Sequence, residues 1–143
     1  MHRDKYILAV LSASDNAIYS PVQLQKLFFL LDKTLGEEIG APFFDFIPYH
    51  YGPFDKNVYR QIGVLETMNF IYTDYEGFNN LKKYKLTKEG QEIGEMELSK
   101  LDQKYQNFIW EMNKFVKSLS FQELISTIYK AYPEMKVNSV FRS

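Results

Sequence analysis

The sequence predicts a mainly α fold with a small β-hairpin (α+β): a winged-helix-like core with a C-terminal helical extension. Three observations predict it. Apolar residues recur at helical spacing in six separate segments. One segment, FIYTDYEGFNNLKKYKLT, alternates on both sides of a loop holding Glu76-Gly77 and Asn79-Asn80, as a hairpin does. The order helix, helix, extended segment, helix, hairpin, helices is that of a winged helix with helices appended. At 143 residues the chain is long enough to bury one core. With no repeat, low-complexity tract or linker, it reads as a single domain, residues 1–90 forming the core and 91–143 the extension packed on it.

The elements follow in chain order. DKYILAVLSA sets Ile7, Leu8, Val10 and Leu11 at helical spacing. In SPVQLQKLFFLLDKTLG, Ser20 is an N-cap, Pro21 takes the first helical position and Gln23 completes a capping box. Leu24, Leu27, Phe28, Leu31 and Leu35 form one stripe that Phe29 and Leu30 widen, so this helix is expected at the centre of the core, with Gly36 as its stop. FFDFIPYHY reads as extended chain, Gly52-Pro53 as a turn, and Asp55 as the N-cap of KNVYRQIGVLETMNF, whose buried face is Val58, Ile62, Leu65 and Met68. Thr87 caps KEGQEIGEMELSKL, where Gly90 and Gly94 weaken the first turns. QKYQNFIWEMNKFVKSL turns Tyr105, Phe108, Ile109, Met112, Phe115 and Val116 inward, a stripe that closes the monomer core or pairs with a second copy in a homodimer. Ser120 with Glu123 opens the last helix, FQELISTIYKAY, and Pro133 ends it.

Composition narrows the function classes. The chain has no cysteine, which removes disulfides, thiolate nucleophiles and cysteine-based metal centres and fits a reducing cytoplasm. Its N-terminal apolar stretch is too short and broken for a signal peptide or membrane span. Aromatic residues make up 17%, with 11 tyrosines and 12 phenylalanines. Net charge is −1, and neither half of the chain is basic. Binding to nucleic acid therefore needs a local basic surface.

Catalysis finds little to stand on. His2 and His50 are the only histidines, so no histidine cluster or Ser–His–Asp arrangement with a second histidine can be assembled, and no phosphate-cradling glycine loop occurs. The paired carboxylates Glu37-Glu38 and Asp74 with Glu76 read as surface charge. Glu134 and Lys136, two residues apart, echo a metal-dependent nuclease but follow a helix-ending proline. No catalytic, metal or cofactor residues are assigned, and the chain is expected not to be an enzyme. For nucleic acid, the third helix offers Lys56, Asn57, Arg60 and Gln61, and the hairpin Lys82, Lys83 and Lys85. Asp55, Glu66, Asp74 and Glu76 in the same elements nearly cancel that charge.

The segment FIPYHYGPFDKNVYRQI gathers aromatics around a Gly-Pro pair. Alternation on an extended chain puts His50 on the face opposite Tyr49 and Tyr51, as a hydrogen-bonded packing residue. Gly52 and Pro53 set a rigid corner bearing Tyr49, Tyr51, Phe54 and Tyr59, the kind of aromatic group that anchors protein interfaces.

Four pieces, LQKLFFLLD (Leu24–Asp32), YHYGPFDKNVY (Tyr49–Tyr59), LTKEG (Leu86–Gly90) and AYPEMKVNS (Ala131–Ser139), resemble the Panacea, or SocA-like, antitoxin-associated domain family across about residues 3–140. The matching positions are Leu24, Gln25, Lys26, Leu27, Tyr51, Gly52, Pro53, Val58 and Tyr59. The resemblance implies a helical domain of bacterial, archaeal or phage proteins that neutralises a toxin, often encoded beside it, through direct protein contact. It brings no catalytic residue and no cofactor. The expected function is thus a non-enzymatic protein-binding module, an antitoxin or related regulator in a bacterial or phage defence context, contacting its partner through Tyr49, His50, Tyr51, Phe54, Tyr59 and Phe78 at the hairpin tip. The alternative is a winged-helix DNA-binding transcriptional regulator using Lys56, Asn57, Arg60, Lys82, Lys83 and Lys85.

Overall fold

The computed structural model, which describes residues 2–40 and 43–141, is mainly helical with two small antiparallel hairpins. Helix α1 (Arg3–Ser12) has little polar surface to spare, and every residue from Tyr6 to Ala13 is buried. It shares the centre of the core with α2 (Pro21–Thr34), which was expected to hold it. In α2 the Ser20 hydroxyl accepts from the Gln23 N–H while the Gln23 side chain accepts from the Ser20 N–H, closing the capping box. Leu24, Leu27, Phe28, Phe29 and Leu31 are fully enclosed. As expected, α2 ends just before Gly36, at Thr34 with Leu35 as its C-cap, and Gly36 then opens a one-turn 3₁₀ helix, Gly36–Ile39.

Strands β1 (Ile47–Tyr49) and β2 (Gly52–Phe54) lead into α3 (Lys56–Thr67). Val58, Ile62 and Leu65 are buried as expected, but Met68 is exposed. It caps the helix, and the left-handed Asn69 (φ 64°) then turns the chain away. The second hairpin joins β3 (Ile71–Glu76) to β4 (Leu81–Leu86) through a loop whose positive-φ residues are Gly77 and Asn80. Tyr19, between α1 and α2, exchanges both backbone hydrogen bonds with Tyr84 (2.9 and 2.8 Å), so one residue acts as a third strand beside the wing. That is the winged-helix arrangement.

Helix α4 (Lys88–Leu98) packs directly on α1. Its glycines do more than weaken it. A Cβ on Gly90 would lie 1.9 Å from the Phe70 carbonyl oxygen, and one on Gly94 2.3 Å from that of Leu8. Helix α5 (Gln103–Ser118) lies against α2, and α6 (Phe121–Ala131) closes over α2 and β2. On α5 the expected stripe is only partly right. Ile109 and Val116 are fully buried, whereas Phe108 and Phe115 are exposed. The buried place is taken by Asn113, whose amide donates to the carbonyls of Val10 (3.0 Å) and Ile109 (3.1 Å) and whose oxygen accepts from the Tyr19 hydroxyl. Both polar groups of this buried amide are thus paired, so its burial leaves no hydrogen bond unmade. No helix among the described residues is long and apolar enough to cross a membrane.

Candidate functional site

The segment Tyr49–Asp55 is a hairpin corner. Ile47 pairs with Phe54, Pro48 with Pro53 and Tyr49 with Gly52. The turn therefore falls at His50-Tyr51, not at Gly52-Pro53 as expected; those two residues begin β2. Gly52 has φ 96°, and a Cβ there would stand 3.3 Å from Tyr129 Cε1, so both backbone conformation and space favour glycine. Because His50 sits in the turn rather than on a strand, alternation does not apply. Its ring stacks on Tyr49, centroids 4.3 Å apart and planes within 9°, instead of facing away from it. Among the described residues its side chain has no hydrogen-bond partner, so it is a stacked surface residue rather than a hydrogen-bonded packing one.

Two polar residues of α2 hold this corner from below. Gln25 is buried and forms a closed pair with the Asp55 backbone. Its Nε2 donates to the Asp55 carbonyl (2.9 Å), and its Oε1 accepts from the Asp55 N–H (3.0 Å). Asp55 in turn accepts from the Asn57 N–H (2.8 Å), capping α3, and from the Asp45 N–H (2.7 Å). Lys26 is only 3% exposed and donates to the Pro53 carbonyl (3.0 Å). No carboxylate pairs with it among the described residues. Burial without a counter-charge lowers its pKa to about 7.

The C-terminal segment clasps the corner from the side. After α6, the 3₁₀ turn Pro133–Lys136 brings Val137–Phe141 alongside β1. The Val140 N–H donates to the His50 carbonyl (2.9 Å), and Asn138 Nδ2 to that of Pro48 (3.2 Å). The Ser139 hydroxyl accepts from the Tyr129 hydroxyl (2.6 Å) and the Phe141 N–H (3.0 Å) and reaches the His50 carbonyl (3.3 Å). Three of the four resembling pieces thus meet at one place. LTKEG lies elsewhere, where the Thr87 hydroxyl accepts from the Gly90 N–H (3.0 Å) to cap α4.

What this bracing presents is apolar. Ile47 is 55% exposed, and Tyr51 and Phe121 are 44% exposed each, with their rings 5.4 Å apart edge to face. Tyr49, Val137 and Val140 are exposed beside them. Several large apolar side chains are thus exposed around a corner braced by α2 and the C-terminal segment, the kind of exposure common at interaction surfaces. Pro48 and Pro53, opposite one another, carry no N–H, so the hairpin is poorly suited to adding a strand and offers its side chains instead.

Among the expected contact residues, Tyr49, His50 and Tyr51 are exposed at the turn. Phe54 and Tyr59 are half-buried beneath it, with rings 5.7 Å apart. Phe78 does not belong to the site, because it stands wholly exposed at the tip of the other hairpin. Missing from the expectation were Ile47, Phe121, Val137 and Val140 on the surface and Gln25 and Lys26 underneath. The last two carried a readable signal: α2 is apolar around most of its girth, which draws its polar residues inside too.

The nucleic-acid candidates occupy the surface of α3 and β4. Lys56, Arg60 and Lys82 are exposed; Asn57, Lys83 and Lys85 are half-buried. Asp74 faces Lys83 directly across the hairpin, and Glu66 accepts from the Thr73 hydroxyl, so acids interrupt the basic surface. Glu134 and Lys136 sit on a 3₁₀ turn, not on the strand that a nuclease pair uses, and no group of three possible metal ligands occurs among the described residues. No family model, curated protein or solved structure matches the chain.

Proposed function

We propose that this chain is a non-enzymatic protein-binding module of the antitoxin type, acting in the cytoplasm by docking its aromatic corner onto a partner protein. The observation that carries the reading is the rigid apolar patch of Ile47, Tyr49, Tyr51 and Phe121, which costs solubility and forms no part of the core. Exposed rings on a preorganised backbone lose little conformational freedom on binding, so their burial translates efficiently into affinity. The resemblance to toxin-neutralising domains supplies the kind of partner.

The test is affinity purification of the tagged chain from its native host, one half of the lysate treated with nuclease. Each captured protein would then be expressed alone and together with the chain. The expected result is a protein recovered regardless of nuclease and added salt, which arrests growth alone and is neutralised by the chain. Ile47→Ser/Tyr51→Ser should fold normally but lose capture and neutralisation. Recovery of nucleic acid alone, released by salt, would overturn the reading in favour of a DNA-binding regulator working through Lys56, Arg60 and the β4 lysines.

A further inference from the structure

Beside the corner lies a cavity of about 350 Å³ between the C-terminal half of α2, the Gly36–Ile39 turn and the segment Phe44–Phe46. Its volume falls at the lower end of the ~300–1,000 Å³ range of small-ligand pockets. Three phenyl rings line it: Phe29, Phe44 and Phe46. Phe46 meets both of the others edge to face, at 5.6 and 5.9 Å. Three carboxylates line it too: Asp32, Glu37 and Asp45, against the single amine of Lys33. None of the three forms an ion pair among the described residues. Asp32 is held by the Tyr6 hydroxyl (3.3 Å) and the Phe44 N–H (3.2 Å), and burial raises its pKa to about 6.

The chain's own cations show what these walls attract. The Arg3 guanidinium lies 5.0 Å from the Phe44 ring centroid and donates to the Phe43 carbonyl, and Lys33 Nζ stands 5.8 Å from Phe29. Setting Arg3 and Lys33 against the three carboxylates leaves one negative charge. The last carbonyls of α2 add the negative end of its dipole. Rings, unpaired carboxylates and a helix C-terminus favour the same guest.

We propose that this cavity receives one monovalent organic cation, the guanidinium or ammonium of an arginine or lysine side chain on the docked protein. The bearer of that side chain rests on the docking reading above. Its placement rests on continuity, since Phe46 in the cavity wall precedes Ile47, the first residue of the apolar patch.

The test needs no partner. ¹⁵N-labelled protein is titrated with acetyl-Gly-Arg-Gly-amide, with acetyl-Gly-Glu-Gly-amide as the charge-reversed control and with spermidine. The expected result is saturable shifts of the Phe44, Asp45 and Phe46 amides with the arginine peptide and none with the glutamate peptide, spermidine binding no more than about tenfold tighter than the arginine peptide. Affinity should fall about tenfold in Glu37→Gln/Asp45→Asn, whose altered side chains are exposed and outside the core, and rise in Lys33→Gln. Shifts that do not saturate, that match the glutamate peptide, or that survive the double substitution would overturn the proposal. Spermidine binding a hundredfold tighter would overturn it as well, making the cavity a polyamine site. Failure here leaves the aromatic patch untouched, and failure of partner capture leaves the peptide titration standing.

Discussion

Gln25 and Lys26 show how two adjacent residues can brace one corner with different chemistry. Gln25 satisfies both backbone groups of Asp55, so Gln25→Ala leaves a buried N–H and a buried carbonyl unpaired. At roughly 1–3 kcal/mol for each such group, the expected loss is about 3 kcal/mol in urea unfolding. Lys26 makes stability depend on pH. Its pKa is about 7 in the folded chain against 10.5 for an ordinary lysine, so between these values the unfolded chain binds the additional proton. The contribution of Lys26 is therefore lost as pH falls through about 7 and grows as pH rises toward 10. Stability of wild type relative to Lys26→Met should rise by about 4 kcal/mol between pH 6 and pH 10, followed by urea unfolding at each pH. A difference that stays flat across that range would mean that Lys26 is not buried as a neutral amine.

Among the elements, α4 carries the sharpest contest between propensity and packing. Alanine in place of a helical glycine ordinarily stabilises by up to about 1 kcal/mol. At Gly94 the added methyl would press on the Leu8 carbonyl at 2.3 Å, and overpacking of that kind costs about 1–3 kcal/mol. The expectation is that Gly94→Ala destabilises by about 2 kcal/mol, whereas Gly63→Ala on α3, with nothing within 4 Å, stabilises by about 0.5–1 kcal/mol. Paired thermal melts of the two variants compare them directly. Before the packing of α1 is known, both glycines look like the same weakness in a helix. The α5 stripe teaches the same lesson: Phe115 and Asn113 are two residues apart, and period alone cannot say that the ring faces water and the amide the core.

At the scale of the whole molecule, α2 and the C-terminal segment, over a hundred residues apart in sequence, converge on the hairpin Ile47–Phe54. Ser139 joins Tyr129, Phe141 and His50 through one hydroxyl, so Ser139→Ala should loosen the clasp while barely moving the melting temperature. The measurement is hydrogen exchange at the Val140 amide, expected about tenfold faster, since losing a bond of ~1 kcal/mol eases local opening by that order. The sequence by itself determined the six helices, their Ser20, Asp55, Thr87 and Ser120 caps and the β3–β4 hairpin, because periodicity, capping and turn chemistry act over a few neighbouring residues. It also marked the Tyr49–Tyr59 segment as the place to look. Only the tertiary structure decided that the turn falls at His50-Tyr51, that Phe121 and Val140 join the patch, that Phe78 stands apart, and that Gln25 and Lys26 lie beneath the corner. Each of these depends on residues distant in sequence competing for one volume and one set of backbone partners, and such competition is settled only when the chain closes on itself.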